Sequence, residues 1–583
     1  MAHNGFLENK EIARLLWETA DLMEIAGDDG FRIRSYRNGA TAIEGFPERA
    51  VDILSNPARK LTEIPGIGKG LTAVISEIVA RRSCERRDEL LEKFPKCALE
   101  FLKLQGLGPK SIALIFEHYK AESIDELERL CQEQKLRVLP RMGAKLEEKV
   151  LRSIADYRRR TGRFLLVHAE RLAAELIEDL RQVEGVEAIT PAGSLRRGRE
   201  TVGDLDLIVT GPNAAAALDR FVAFPRVQEV LGHGENKASA RVGLEGLQVD
   251  VRALPRESFG AAMQYFTGSK DHNVAIRTRA VRMGLKLNEY GLFRIDDDTK
   301  VAGETEESVY EALGLPWIPP ELRENTGEIE AALEGRLPEL IEVRHLRGDL
   351  HMHTVESDGK ATLEVMAEAA RERGYEYIAI TDHSKALAMA NGLDEARVVA
   401  FARQVRDLNA SGALGIRVFS GIECDILRDG AMDLADDALA ELDLVIGSVH
   451  SHMSMETAEM TDRLLRALEC PHLRILGHPT GRRLLEREPY PFDAERVFAE
   501  AVRRGVWLEV NASPERLDLH GPLIRAAKAK GARFTISTDA HSPKSLPGIR
   551  YGVVTARRGW LGPNDVMNTL PVDQFAAALR TRP

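Results

Sequence analysis

At 583 residues the chain is too long for one ordinary core, and its length implies roughly three to five domains. Hydrophobic residues make up 44% and charged residues 29%, and no run of about 18 apolar residues occurs, so no membrane span is expected. The opening MAHNGFLENKEIARLLWETA lacks the apolar stretch of a secretory signal, five scattered cysteines without a CxxC pair suit a reducing cytoplasm, and a net charge of −11 requires any nucleic-acid-binding surface to be local.

Residues 7–56 read as helices, with Ile12, Leu15, Leu16 and Ala20 at helical spacing. Ile64-Pro65-Gly66-Ile67-Gly68-Lys69-Gly70 then leads into a further helix. Related turns recur at Leu104-Gln105-Gly106-Leu107-Gly108-Pro109-Lys110 and, more weakly, at Leu139-Pro140-Arg141-Met142-Gly143-Ala144-Lys145. A turn of this kind exposes backbone N–H groups at the positive end of a helix dipole, where a phosphate sits. The three copies resemble helix-hairpin-helix motifs, which hold a DNA backbone without reading its sequence. Gly66, Gly68, Gly106, Gly108, Lys110, Gly143 and Lys145 are therefore the candidate DNA-backbone residues. The last copy lies in the most basic stretch, 135–163, with ten basic and three acidic residues.

From about residue 164 short β-like runs at 186–189, 205–209 and 247–251 alternate with helical stretches, which predicts a mixed α/β domain. Residues 263–315 are again mixed, and 316–345, opening with Pro316-Trp317-Ile318-Pro319-Pro320, reads as a linker. Over 346–583 strands such as those at 377–380, 444–448 and 506–510 alternate with helices. That rhythm predicts a parallel sheet or barrel with functional residues at strand ends.

Asp204 and Asp206 lie two residues apart on a strand and share a face. Asp250 sits between Val249 and Val251 on another strand, where a charge is costly unless paired or bound to metal. Three convergent carboxylates form a hard-oxygen site for two divalent cations. Upstream, Gly193 and Ser194 supply a tight turn with donors for phosphate, and Arg197 neutralises charge on a leaving group.

The pattern GSLRRG at 193–198 with Asp204-Leu205-Asp206 and a later strand aspartate resembles the palm of family X DNA polymerases, the polymerase beta-like core. The likeness continues through Tyr265-Phe266-Thr267-Gly268-Ser269, Asn273, Arg277 and LeuAsnGluTyrGly at 287–291. It implies that Asp204, Asp206 and Asp250 are catalytic metal ligands for Mg²⁺ or Mn²⁺, and that Gly193, Ser194, Arg197 and Gly203 line the triphosphate pocket. Tyr265, Phe266 and Gly268 would flank the incoming sugar, Asn273 would touch the base edge, and Arg277 the template strand. The lysine with which lyase members of the family form a Schiff base aligns with Val74, so the resemblance does not extend to excision of a 5′-deoxyribose phosphate.

Nine of the fifteen histidines fall in 346–583, most just after a short apolar run. Mixed His, Asp and Glu ligands suit Zn²⁺, Mn²⁺ or Fe²⁺, and nine suffice for three ions. This half resembles the PHP domain (polymerase and histidinol phosphatase), a seven-stranded βα barrel. On that resemblance the metal ligands are His351, His353, Asp358, His383, Glu423, His450, His478, Asp539 and His541, with Zn²⁺ or Mn²⁺ as the ions. His452, His472 and His520 read as ordinary residues.

The expected division is thus 1–90 and 91–163 as two helical domains with helix-hairpin-helix motifs, 164–262 as palm, 263–315 as thumb, 316–345 as linker and 346–583 as PHP barrel. The fold class is multidomain, α and α/β. Together the resemblances imply a monomeric, template-directed DNA polymerase that fills short gaps in DNA repair from dNTPs, with a metal-dependent 3′–5′ exonuclease, and abasic-site cleavage in some members. Two alternatives carry different expectations: a nucleotidyltransferase acting on RNA or a small molecule with an attached phosphomonoesterase, or a polymerase whose C-terminal barrel is purely structural.

Overall fold

The computed structural model describes residues 9–581 apart from positions 45, 47, 57–58, 96, 122, 141 and 244–245. Arg141 of the third turn and the side chains of Arg158, Arg159 and Arg160 in the basic stretch lie outside the described residues. The chain forms two compact units, residues 1–161 and 162–583.

The first unit is helical and holds two apolar clusters. One gathers Ile12, Leu16, Ile43, Ile75 and Leu90, and the other gathers Phe101, Ile112, Leu127, Val150 and Ile154. The three turns share one backbone hydrogen bond. Ile67, Leu107 and Met142 each donate a backbone N–H to the residue three before, at 3.0, 3.4 and 3.1 Å, and the apolar pairs Ile64/Ile67, Leu104/Leu107 and Leu139/Met142 are buried. Gly66 and Gly106 take positive φ angles of 93° and 102°, which an L side chain resists. Gly68 and Gly108 are the N-caps of Lys69–Arg81 and Pro109–Tyr119, and Gly143 directly precedes Ala144–Thr161. Val74 packs half-buried against the first cluster, as an apolar residue on that face should.

The second unit opens with a five-stranded sheet in the order Ala188–Pro191, Asp204–Thr210, Leu247–Leu254, Lys237–Val242, Val227–His233. The pair Asp204–Thr210 and Leu247–Leu254 is parallel and the other pairs are antiparallel. Helix Leu166–Leu180 covers the sheet with a stripe of Leu166, Ala169, Leu172, Ala173, Leu176 and Leu180, one face at 3.6-residue spacing. A smaller subdomain follows, with helices Phe259–Thr267 and Lys270–Arg282, a three-stranded antiparallel sheet and helix Glu306–Ala312.

The segment 316–345 is not a tether, which corrects the linker reading. Ile318, Leu322, Ile329, Ala332 and Leu340 belong to the smaller subdomain's core, and Ile341 to that of the barrel. Its prolines set turns while the apolar residues between them are buried. Arg323 is fully buried here and bonds Glu306 at 2.7 Å, which also bonds Arg196 at 2.6 Å. Burial would push the Glu306 carboxyl up, but the two guanidinium groups hold it down at about 2. The buried Arg323 is thus not left without a counter-charge.

Seven parallel strands then run in chain order from Gly348–Asp349 to Phe534–Ser537, and a bridge between Met352 and Ala540 brings the two edges together into a nearly closed barrel. The strands at 377–380 and 444–448 match the predicted spans. Alternation decides what faces inward. Tyr377, Phe419, Ile446, Ile475 and Trp507 fill the lower interior, and Phe575 of the C-terminal helix Val572–Arg580 closes it, stacked 4.7 Å from Tyr377. Moving up by twos from Phe419 and Trp507, the same inward face reaches Glu423 and Glu509. The upper interior is therefore polar.

Candidate active sites

In the five-stranded sheet, Asp206 and Asp250 are direct register partners across the parallel pair, with Asp204 two residues before on the same face. Gly193 adopts φ 61°, and a Cβ there would lie 2.7 Å from Asp206 Oδ2, so glycine lets the turn approach the carboxylate. Burial is the first cause that raises the Asp206 carboxyl, to about 7, with Asp204 and Asp250 adding repulsion. Asp250 differs. Against the upward push of burial, hydrogen bonds from Lys237 and Ser239 hold its carboxyl below the usual range, with Lys237 Nζ at 2.6 Å and Arg252 at 3.4 Å. Three carboxylates on one face, one of them raised by burial and by its acidic neighbours, are a donor set that fits hard divalent cations. Lys237 is a site neighbour that the sequence reading missed.

Around this face, Ser194 Oγ is buried without a hydrogen-bond partner. Arg197 donates to the Thr267 carbonyl and, from Nε, to Glu324 at 3.2 Å. Burial lowers its pKa while Glu324 opposes that shift. Gly203 separates the short strand Thr201–Val202 from Asp204–Thr210. A Cβ on Gly268 would stand 3.0 Å from the Arg197 guanidinium. Tyr265 and Phe266 meet edge-on at 5.1 Å, and the Arg252 guanidinium lies 4.3 Å over the Phe266 ring. Asn273 is engaged within the fold, accepting from Gln264 at 2.9 Å and donating to the Tyr265 carbonyl at 2.6 Å, while Arg277 reaches the Asn273 carbonyl at 3.4 Å.

The barrel mouth gathers all nine of its sequence-predicted residues. Among the described residues, three groups have donor atoms within 4.8 Å of one another: His353, Asp358, His383 and His541; His351, His353 and Asp539; His383, Glu423 and His450. His478 joins through Nε2, 2.9 Å from Glu423 Oε1. The groups share His353 and His383, so the sites are contiguous. Among the described residues the palm carboxylates form no such tight group, and Asp250 is instead paired with Lys237 at 2.6 Å and lies 3.4 Å from Arg252. His452, His472 and His520 lie outside the three groups.

Buried polar atoms without a hydrogen-bond partner include His351 Nε2, His353 Nδ1, His383 Nδ1, His478 Nδ1 and Glu423 Oε2. So many orphaned donors in one cluster fit bound metal ions. Burial and then the neighbouring His383 and His541 depress His353 to about 3, which keeps it neutral and able to ligate. Supporting residues orient the ligands: Glu509 takes His351 Nδ1 at 2.7 Å and the His478 N–H at 2.6 Å, Asp425 meets His450 Nδ1 at 3.1 Å, and Asn511 donates to Asp539 at 3.1 Å. Such partners fix imidazole tautomer and ring angle.

Comparison with known proteins matches four stretches to family models: a helix-hairpin-helix domain at residues 7–84, a SAM-like helix-hairpin-helix tandem at 98–156, the DNA polymerase beta thumb at 262–324 and the PHP domain at 349–513. Over 575 residues the chain is 36% identical to the DNA polymerase/3′-5′ exonuclease PolX of Bacillus subtilis (strain 168), covering 98% of this chain and 100% of that one. DNA polymerase lambda of Arabidopsis thaliana is 26% identical over 350 residues, 54% of this chain and 62% of the plant protein. A probable phosphatase of Syntrophotalea carbinolica is 28% identical over 231 residues, 38% of this chain and 90% of that protein.

Proposed function

The chain belongs to the PolX family of DNA polymerases, and from that premise we infer that it is a template-directed DNA polymerase filling short gaps in DNA repair, with a metal-dependent 3′–5′ exonuclease in its PHP barrel. The observation that carries this reading is the presence in one chain of a carboxylate face beside a phosphate-type turn and a separate nine-residue ligand cluster with orphaned buried donors. Its substrates are gapped or primed duplex DNA and dNTPs. No described helix is long and apolar enough to cross a membrane. None of the five cysteines is joined in a disulfide among the described residues, which supports work in a reducing cytoplasm.

In the palm, Asp204, Asp206 and Asp250 would hold Mg²⁺ or Mn²⁺, which would supply charge stabilisation for attack by a primer 3′-hydroxyl and for the leaving pyrophosphate. Gly193, Ser194, Arg197 and Gly203 bind the triphosphate; Tyr265, Phe266 and Gly268 flank the sugar; Asn273 and Arg277 turn toward base edge and template once DNA is present. In the barrel, the nine ligands would hold Zn²⁺ or Mn²⁺, and the hydrogen bonds of Glu509 and Asp425 orient His351 and His450 for that role. The repeated hairpin turns, with Gly66, Gly68, Gly106, Gly108, Lys110, Gly143 and Lys145, hold the duplex backbone, and DNA affinity is expected to fall as salt rises. Lyase chemistry at Val74 forms no part of the proposal, since its side chain carries no amine.

A labelled duplex with a one-nucleotide gap, followed in time with and without dNTPs, tests both activities. Extension by one nucleotide with dNTPs and 3′ shortening without them are expected, whereas no extension with either Mg²⁺ or Mn²⁺ refutes the polymerase reading. A pH effect follows from Asp206. Proton and cation compete for a carboxylate that titrates near 7. The half-saturating metal concentration for incorporation therefore rises as pH falls, by up to about tenfold per unit below that point, and levels off above it. Metal titrations of single-nucleotide incorporation at acidic and alkaline pH measure this, and a pH-independent half-saturation would contradict it.

A further inference from the structure

The loop carrying the triphosphate residues is clamped by the nuclease barrel. A Cβ on Gly198 would stand 2.1 Å from Val554 Cγ1 on helix Ile549–Arg558, so helix and loop pack with no space between them. Arg558 Nη1 donates to the Arg197 carbonyl at 2.9 Å and to Glu324 Oε1 at 3.1 Å. The same Glu324 oxygen accepts from Arg197 Nε at 3.2 Å and lies 3.8 Å from Arg199. Neighbours pin the backbone around Glu324: Glu321 pairs with Arg557 at 2.7 Å, and Arg323 is fully buried against Glu306. One carboxylate therefore serves three guanidinium groups, one of them from the nuclease domain.

Arg197 is occupied by Glu324 and the Thr267 carbonyl, so an incoming triphosphate has to compete for it. Releasing Arg197 would strand a partly buried carboxylate unless another cation kept it, and an unpaired buried charge is costly. We propose that Glu324 is the resting counter-anion of Arg197, and that Arg558 retains Glu324 when nucleotide takes Arg197, so that a residue of the nuclease domain sets the polymerase's affinity for dNTP. Arg558 and Glu324 are positioning residues. The proposal rests on Arg197 contacting the triphosphate.

The test uses the full chain and measures KM for dNTP and kcat for single-nucleotide gap filling, with exonuclease rate as the measure of an intact barrel. Loss of one charge-assisted hydrogen bond predicts that Arg558→Met raises KM about tenfold with little change in kcat. Glu324→Gln, which keeps shape and drops charge, lowers KM below the wild-type value. The double variant matches Glu324→Gln, since no carboxylate is left to hold Arg197 back. A merely structural contact would give additive losses instead. An unchanged KM for Arg558→Met, a raised KM for Glu324→Gln, or additivity overturns the proposal, and the Glu324→Gln arm decides even if Arg558→Met misfolds. Arg197→Ala separates the two levels: if it leaves KM unchanged, the placement of Arg197 on the triphosphate fails and the proposal with it. If it raises KM while the other variants do not behave as stated, only the proposal fails.

Discussion

In a variant with both Asp204→Ala and Asp206→Ala, gap filling falls by at least about a thousandfold while 3′ shortening of the same DNA continues at close to the wild-type rate. Loss of transition-state charge stabilisation worth several kcal/mol corresponds to three or more decades in rate. The fold should survive the change. Asp250 keeps Lys237 at 2.6 Å and Arg252 at 3.4 Å, so no buried charge is orphaned. Stability gives an independent readout. The Asp206 carboxyl titrates near 7 in the folded chain against an ordinary 3.8. With a raised folded value, the stability linked to its neutral form is fully present below 3.8 and is lost as pH rises through about 7. Without metal, the variant therefore melts no lower than the wild type above neutral pH, and divalent cation raises the wild-type melting temperature more than the variant's. Residual incorporation near the wild-type rate would place the polymerase metals elsewhere. Loss of both activities with a lowered melting temperature would indicate damage to the fold.

The carboxylate face was readable because a strand repeats every two residues. Asp204 and Asp206 had to share a side, and Asp250 between two valines had to be compensated. The barrel was readable for a related reason: histidines after apolar runs sit at strand ends, and parallel strands put those ends at one mouth. Lys237 gave no such sign. It lies on Lys237–Val242, whose alternation marks a half-buried strand, but its closeness to Asp250 depends on antiparallel register with Leu247–Leu254, which local pattern does not supply. Glu509 did leave a signal, a carboxylate inside the apolar run ValTrpLeuGluVal, and the logic that found Asp250 would have found it. The segment 316–345 was misread because prolines dominated the reading, although Ile318, Leu322 and Ile329 are core residues. The contacts of Arg558 with Arg197 and Glu324 join positions 361 and 234 residues apart, a pairing set only by tertiary packing, on which local pattern is silent.

His353→Ala produces the opposite separation: exonuclease activity drops by about a thousandfold or more, and gap filling is largely retained. His353 is the informative choice because its donor atoms take part in two of the three ligand groups, so one truncation weakens adjoining sites together. Its environment also limits collateral damage. Burial and the adjacent His383 and His541 keep the ring neutral, its pKa near 3, so removing it deletes no charge on which the cluster's balance depends. The cavity left behind is polar-walled, and the apolar lower interior around Phe575 and Tyr377 is untouched. Polymerisation draws on carboxylates of a different sheet and needs only that helix Ile549–Arg558 stay in place. Metal analysis of the purified variant should show fewer bound transition-metal ions than the wild type. A barrel that served only as scaffold would give the reverse pattern, with nuclease unaffected while metal is lost. Retention of exonuclease by a metal-depleted His353→Ala protein is thus the outcome that would move the nuclease out of the barrel.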